Sequence, residues 1–387
     1  MINPQPDQPR IVFLFSDTGG GHRSACEAII EALHLDYPER INTEMVDLFR
    51  QYTPPPLKYA PEIYPPLSRM PDLWKFGYRA SDGRRRMRMF NSMAWPYIRR
   101  SLDRLVRENP CDLLVCVHPL MTTPVLRALQ NRPVPFITVV TDMVSTHAAW
   151  FDNRSDLVIV PTRAAAQIAM NNGVAPGQIQ IVGLPVAHRF CQPVGDRQEL
   201  RAKLGWRQDL PTVLLVGGGE GMGPLEQVAR AINHAKLPIS LVVIAGRNQK
   251  LKSNLEAMDW HIPATIYGFV RQMPDFMRAS DVLITKAGPG TISEAFIAGL
   301  PLILYSRLPG QEEGNVSYTV DEGAGVWAPT SEQVVATLQN WLNNPVELEK
   351  TAANARRLAR PQAAHQIAEI LAAKVGVHSS QEQTLLT

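Results

Sequence analysis

Four cysteines are spread through 387 residues, at Cys26, Cys111, Cys116 and Cys191. They form no Cys-X-X-Cys pair and no Cys/His spacing of the zinc-site kind, so the sequence offers no metal ligand set. They read as buried free thiols in a reducing cytoplasm. No apolar run of about 18 residues is present, so no membrane-spanning helix is expected. The opening MINPQPDQPR has neither a basic nor an apolar region, so no secretory signal is expected either. Asp-X-Asp occurs nowhere, which argues against a metal-bridged diphosphate of that type. A net charge of +3 is too small to imply nucleic acid as a partner.

What is present is apolar mass in short runs. Hydrophobic residues make up 45% of the chain and charged residues 19%, enough for sizeable cores. Strand-like runs begin at RIVFLFSD, INTEMVDL, CDLLVCVH, PFITVVTD, DLVIVP and QIQIVGLP in the first half. PTVLLVGGG, ISLVVIAG, ATIYGFV, DVLITKAG, LPLILY and GAGVWA follow in the second. Near-continuous Val/Ile/Leu runs mark strands buried on both faces of a parallel sheet. Helical patterns such as Glu27–Leu33, Leu225–His234 and Ser293–Ala298 separate them. The expected fold class is therefore α/β, two doubly wound Rossmann-like domains facing an interdomain cleft. The expected boundaries are 1–195 for the first domain and 206–360 for the second, joined through 189–206. Residues 361–387 form a C-terminal helix and tail free to return to the first domain.

Residues 54–100 break this rhythm with prolines, aromatics and arginines. Between Lys75 and Arg100, the basic residues Lys75, Arg79, Arg84, Arg85, Arg86, Arg88, Arg99 and Arg100 stand against a single acid, Asp82, and Met87, Phe90, Ala94 and Tyr97 fall at helical spacing. Such a basic, aromatic insert suits an anionic membrane surface, with Trp74, Phe76 and Phe90 entering the headgroup layer. It equally suits a cap with a solvated charged rim.

In open α/β sheets, ligands sit beyond the carboxyl ends of the strands. Every Gly-rich or His-bearing loop here lies at such an end. GGGEGMGP, with Gly218, Gly219 and Glu220, and KAGPGTISEA, with Gly288, Pro289, Gly290 and Thr291, each place glycines before a helix start, where free N–H groups attract phosphate. Lys286 and Arg247 are the cations available for a leaving group. Glu294 lies one helical turn beyond Gly290 and suits ribose hydroxyls. Gln311, Glu312 and Asn315 crowd the loop PGQEEGN with groups that grip sugar hydroxyls.

SDTGGGHRSACEAI, LLVGGGEGMGP, GFVRQMPDFM and TKAGPGTISEAFIAGLPLILYSRLPGQEEGNVSYTVDEGAGVW resemble the monogalactosyldiacylglycerol synthase family. More broadly they are similar to GT-B glycosyltransferases that include the peptidoglycan enzyme adding N-acetylglucosamine to lipid I. The resemblance covers roughly residues 10–345. It implies a UDP-hexose donor, inversion at the anomeric carbon, no metal or other cofactor, and diacylglycerol as acceptor. It implies backbone contacts from Phe269 and Val270 to uracil, Glu294 to ribose, Gly288–Thr291 to diphosphate, and Gln311 and Glu312 to the hexose. His22 would stand at a helix N-terminus, where the dipole disfavours imidazolium, and act as general base. Asp142 is the second candidate for that role. Gly20, Gly21, His118 and Trp150 would shape the acceptor side. The implied location is cytoplasmic and peripheral, on the inner face of a membrane. Two other readings stay open on the residues alone: a UDP-sugar 2-epimerase, and a non-catalytic protein that binds nucleotide sugar or lipid. Neither galactose over glucose nor an oligomeric state follows from the sequence.

Overall fold

The computed structural model describes residues 8–378 apart from 19, 69, 194, 220 and 222. It divides into two compact units. The first takes residues 1–188, 309–311 and 362–387, and the second takes 189–308 and 312–361. The first division falls at His188/Arg189, ahead of most of the segment read as the joint, and the last helix belongs to the first unit.

The first unit holds six parallel strands: β1 (Arg10–Phe15), β2 (Asn42–Asp47), β3 (Leu113–Cys116), β4 (Phe136–Val139), β5 (Leu157–Val160) and β6 (Ile179–Ile181). Their order is β2-β1-β3-β4-β5-β6. The central strands β3 and β4 are buried along their whole length, whereas the edge strand β6 is largely exposed. Alternation along β1 serves two cores. Ile11, Phe13 and Phe15 pack with Ile29 and Leu33 of the helix Gly21–Asp36 and with Ile367, Ala368 and Leu371 of the C-terminal helix Ala363–Lys374. Val12 and Leu14 face the other way, onto Ile98, Leu102 and Leu105.

Those three residues belong to the helix Arg84–Glu108, so the basic insert runs without a break into core structure. Before it come a short turn at Leu57–Tyr59 and the helices Ala60–Ser68 and Pro71–Ser81. The stripe Met87, Phe90, Ala94, Tyr97 is divided: Met87 is buried while Phe90 and Tyr97 are exposed. The long helix carries two apolar faces. Met87, Ile98, Leu102 and Leu105 point inward, and Met89, Phe90, Met93 and Tyr97 point outward. Trp74 is half-buried and packs edge-on against Tyr64 at 5.3 Å, so it is not a free headgroup anchor.

The second unit repeats the plan with β7 (Thr212–Val216), β8 (Ser240–Ile244), β9 (Ala264–Tyr267), β10 (Val282–Lys286), β11 (Leu302–Ser306) and β12 (Gly325–Trp327). All pairings are parallel, in the order β12-β11-β10-β7-β8-β9. In each sheet the strand order reverses once, between β1 and β3 and between β7 and β10, and the crevice at a reversal point is where α/β sheets hold ligands. The loops leaving those four strands carry SDTGGGH, HPLM, GGGEGMG and TKAGPG. All four cysteines are free thiols; Cys26 and Cys116 are buried, but Cys111 and Cys191 only partly so.

Candidate active site

In the first unit, the turn after β1 is held by a two-pronged ion pair. Arg23 Nε and Nη2 donate to Asp17 Oδ1 and Oδ2 at 2.5 and 2.8 Å, and the guanidinium lies over the Phe15 ring. The pair holds the Asp17 carboxyl below its usual range. Gly20 has φ +78°, the left-handed geometry that lets a glycine turn the chain sharply into the helix Gly21–Asp36. His22 is thereby set in the helix's first turn, beside the open backbone of Gly21.

Three strand ends converge on His22. Its Nδ1 lies 2.8 Å from the Thr141 hydroxyl, just past β4. Its ring meets His118, just past β3, edge-on at 4.7 Å, and Trp150 at 5.8 Å. His118 Nε2 bonds the Thr18 hydroxyl at 2.9 Å, and its other face packs on Phe49. Burial lowers the His22 pKa to about 4, and His118 lies well below its ordinary value through burial and the charge of His22. Both rings are neutral at pH 7. The expectation of a neutral His22 holds, but the dominant cause is desolvation. In the tautomer whose Nδ1–H donates to Thr141, Nε2 carries no hydrogen and can accept a proton.

Asp142 is buried beside this cluster. The Trp150 indole N–H donates to Oδ2 at 2.7 Å, and Gln311 Nε2 donates to Oδ1 at 3.1 Å. Gln311 is therefore part of the first unit, on the carboxylate, while its neighbour Glu312 belongs to the second. Thr141 is the residue the sequence reading missed. Its position at a strand end, next to Asp142, was the available signal.

In the second unit the glycines do two kinds of work. Gly221 has φ +59°, and a Cβ there would lie 2.2 Å from the Ala245 carbonyl oxygen. Gly246 has φ +61°, and its Cβ would lie 2.4 Å from the Gly219 oxygen. The turns after β7 and β8 thus pack backbone on backbone, joined by Arg247 N–H donating to Gly219 O at 2.9 Å. Gly218, with φ +73°, belongs to the same turn; Glu220 lies outside the described residues. Gly290 is different: it is helical, and a Cβ would meet nothing within 4 Å. Gly288 caps the helix Pro289–Ala298, whose first turn includes Gly290 and Thr291, so free N–H groups open onto unfilled space.

Lys286 and Glu312 form a 2.7 Å ion pair, and the second Glu312 oxygen accepts from Leu308 N–H at 2.7 Å. Asn315 Nδ2 donates to Ala287 O at 2.9 Å. These three side chains brace the turn that precedes the glycines. Glu294, one turn into the helix, has its pKa raised by burial to about 8, with Arg189 opposing. It is a carboxylic acid at pH 7, able to donate as well as accept a hydrogen bond. Arg247 lies over the exposed Phe269 ring at 4.5 Å, and Val270 follows on the same loop. Among the described residues no group of three His, Cys, Asp or Glu side chains could hold a metal ion.

The profile described as monogalactosyldiacylglycerol (MGDG) synthase matches residues 22–186, and that of the glycosyltransferase family 28 C-terminal domain matches residues 212–369. Monogalactosyldiacylglycerol synthase 1, chloroplastic, of Arabidopsis thaliana is 38% identical over 94% of this chain and 70% of its own length. The spinach (Spinacia oleracea) monogalactosyldiacylglycerol synthase, chloroplastic, is 37% identical over 96% of this chain and 75% of its own. The chain belongs to the monogalactosyldiacylglycerol synthase family. As a member of that family it is a glycosyltransferase. Among solved structures, Acinetobacter baumannii MurG is similar with a TM-score of 0.60 at 15% identity, covering 94% of this chain and 99% of that one. A UDP co-structure of S. aureus MnaA matches with a TM-score of 0.63 at 12% identity, covering 95% and 97%. These likenesses establish the GT-B fold. The synthase-family profile begins at His22 and ends at Val186, so it takes in His22, His118, Thr141, Asp142 and Trp150.

Proposed function

We propose that this synthase-family member moves a hexose from a UDP-sugar to the free hydroxyl of 1,2-diacylglycerol, with inversion and without a metal. His22 Nε2 removes the hydroxyl proton as that oxygen bonds to the anomeric carbon. The bond from that carbon to the UDP oxygen breaks, and UDP departs with the electron pair. N–H groups at the start of the helix Pro289–Ala298 meet the growing charge. The protonated Glu294 carboxyl gives a hydrogen bond to a ribose hydroxyl. The observation that carries the reading is the half-buried, neutral His22 with Nδ1 2.8 Å from the Thr141 hydroxyl. The names of the relatives favour galactose over glucose.

A two-chain acceptor resides in a bilayer. Exposed Leu73, Phe76, Met89, Phe90 and Met93, together with exposed Arg84, Arg85, Arg86 and Arg88, support peripheral attachment to anionic lipid. No described helix is long and apolar enough to cross a membrane. We assign the attachment to the inner, cytoplasmic face.

The deciding experiment incubates the protein with diacylglycerol vesicles and either UDP-galactose or UDP-glucose, with and without EDTA, and resolves lipids by chromatography. A β-linked monohexosyl product in both conditions is the expected result. Absence of any glycolipid, or of product only when EDTA is present, overturns the reading or its metal-free step respectively.

A further inference from the structure

The helix Pro71–Ser81 has an outward side and a fastened end. Outward stand Leu73 and Phe76, with Phe76 71% exposed, next to the exposed Met70 that precedes the helix. At the other end, Tyr78 donates its hydroxyl to Ser145 O at 2.9 Å and meets the His147 ring edge-on at 4.9 Å. Ser81 Oγ lies 3.2 Å from His147 Nε2, and Asp82 Oδ1 accepts from Ala148 N–H at 2.9 Å. His147 Nδ1 accepts from Ala149 N–H at 3.0 Å. Four contacts thus tie the helix to the stretch 145–149, immediately before Trp150.

Tyr78 touches a second segment. Gly310 has φ +87°, and a Cβ there would lie 2.9 Å from Tyr78 Cδ1, so the ring occupies the space a side chain would need. Gln311 is the next residue. Trp150 and Gln311 each donate a side-chain hydrogen bond to Asp142. One tyrosine therefore rests on both segments that set this buried carboxylate, while earlier in its own helix Leu73 and Phe76 face the outside.

We propose that Tyr78 is a positioning residue through which docking of this helix on a lipid surface sets Asp142, so that the enzyme is activated by the interface itself and not only by the acceptor's concentration there. The occupant of the outward side is a lipid bilayer with anionic headgroups. Apolar side chains at Leu73, Phe76, Met89, Phe90 and Met93 are rimmed by Arg84, Arg85, Arg86 and Arg88, the pairing that suits such a surface. The inference rests on the proposed transfer to diacylglycerol.

The test compares wild type with Tyr78→Phe, which keeps the ring on His147 and Gly310 but removes the bond to Ser145. Initial rates are measured on diacylglycerol in vesicles containing anionic phospholipid, and on a short-chain diacylglycerol kept monomeric in solution. The vesicle-over-monomer rate ratio should fall about three- to tenfold in the variant, the worth of one neutral hydrogen bond. The loss should lie in kcat with donor KM retained, while vesicle co-sedimentation and melting temperature match wild type. An unchanged ratio, or equal loss on both acceptors, overturns the proposal, the second because it marks a purely structural tyrosine. A lowered melting temperature moves the test to Ser81→Ala, which removes the hydroxyl that meets His147 together with its bonds to Gly77 O and Tyr78 O in the same helix, and is read by the same ratio. A wild type that glycosylates neither acceptor sinks the transfer reading instead.

Discussion

His22 and Gly221 both follow a strand next to the point where their sheet reverses, yet the two units use these places differently. Around His22 the first unit gathers side chains: Thr141, His118, Trp150 and Asp142, most of them buried and hydrogen-bonded to one another. Around Gly221 the second unit gathers backbone, with glycines that let two turns touch and a helix start left open. Its charged side chains, Lys286 and Glu312, are spent on each other. Proton transfer needs a tuned side chain, whereas a diphosphate is met well by fixed N–H dipoles. The contrast fits the proposed division, with proton transfer in the first unit and anion binding in the second.

The sharpest way to break this contrast is His22→Ala. General-base assistance is worth about 10²–10⁴-fold, so kcat should fall by that factor while UDP affinity stays near wild type. Steady-state kinetics reads the first and isothermal titration with UDP reads the second, which on the proposed reading belongs to the second unit. The wild-type pH profile adds a check with a definite sign. A base with its pKa at about 4 works only when deprotonated, so log kcat/KM should decline below pH 4 to 5 and not around 6.5. A limb near 6.5 would remove His22 from the role.

Next in size is the surface that serves the first unit alone. Changing Arg84, Arg85, Arg86 and Arg88 to Gln removes four cations, each contributing about 1 kcal/mol near an anionic surface, so vesicle affinity should drop roughly 10²- to 10³-fold. Co-sedimentation at physiological salt measures it, with neutral vesicles as the control. Unchanged binding would make the arginines a solvated rim.

Gly221→Ala and Gly290→Ala sharpen the backbone half of the comparison. The first forces a Cβ to 2.2 Å from a carbonyl oxygen at φ +59°, so the left-handed strain of about 1–2 kcal/mol is only the start of its cost, and the melting temperature should fall by several degrees. The second adds a Cβ to a helix over open space, which favours the helix by about 0.5–1 kcal/mol, so the protein should melt no lower while donor KM rises. If Gly290→Ala leaves donor kinetics untouched, that space does not hold the diphosphate.

The twelve described strands were legible, the central ones because buried parallel strands are written as near-unbroken Val/Ile/Leu runs and the outer ones such as β2 and β6 because they keep the alternating βα rhythm. The division of labour among glycines was not legible. Gly221 and Gly290 both lie in glycine-rich stretches that lead into a helix, and only the distance to Ala245 O separates a packing glycine from an open one. The second apolar face of Arg84–Glu108 was hidden for a related reason: with apolar residues on two sides, helical spacing does not say which side the core takes, and Ile98, Leu102 and Leu105 decide it from beyond residue 97. Thr141 carried no motif of its own. Its role exists only because β4 ends beside the start of the helix Gly21–Asp36.

The smallest expected effect concerns the one tuned side chain on the backbone side. Glu294 has its pKa raised to about 8, so at pH 7 the folded protein holds it as a neutral acid. Glu294→Gln replaces one neutral hydrogen-bonding group by another of the same shape, and donor KM should shift by less than about threefold at pH 7, whereas Glu294→Ala removes the contact and should raise it about tenfold. The pH dependence gives a second reading, with its sign set by linkage. The folded-state pKa lies above the unfolded value, so the contribution of the neutral form is full below the usual carboxylate pKa near 4.5 and is lost as pH rises through about 8. The Gln variant has no such proton to lose. Its melting temperature should therefore gain on wild type steadily between pH 5 and pH 8, and the difference should level off above pH 8, as read by calorimetry at pH 5, 7 and 9. A difference that stays constant across that range would mean Glu294 is ionised at pH 7, and a charged carboxylate in the helix Pro289–Ala298 would then oppose the diphosphate proposed to bind at its start.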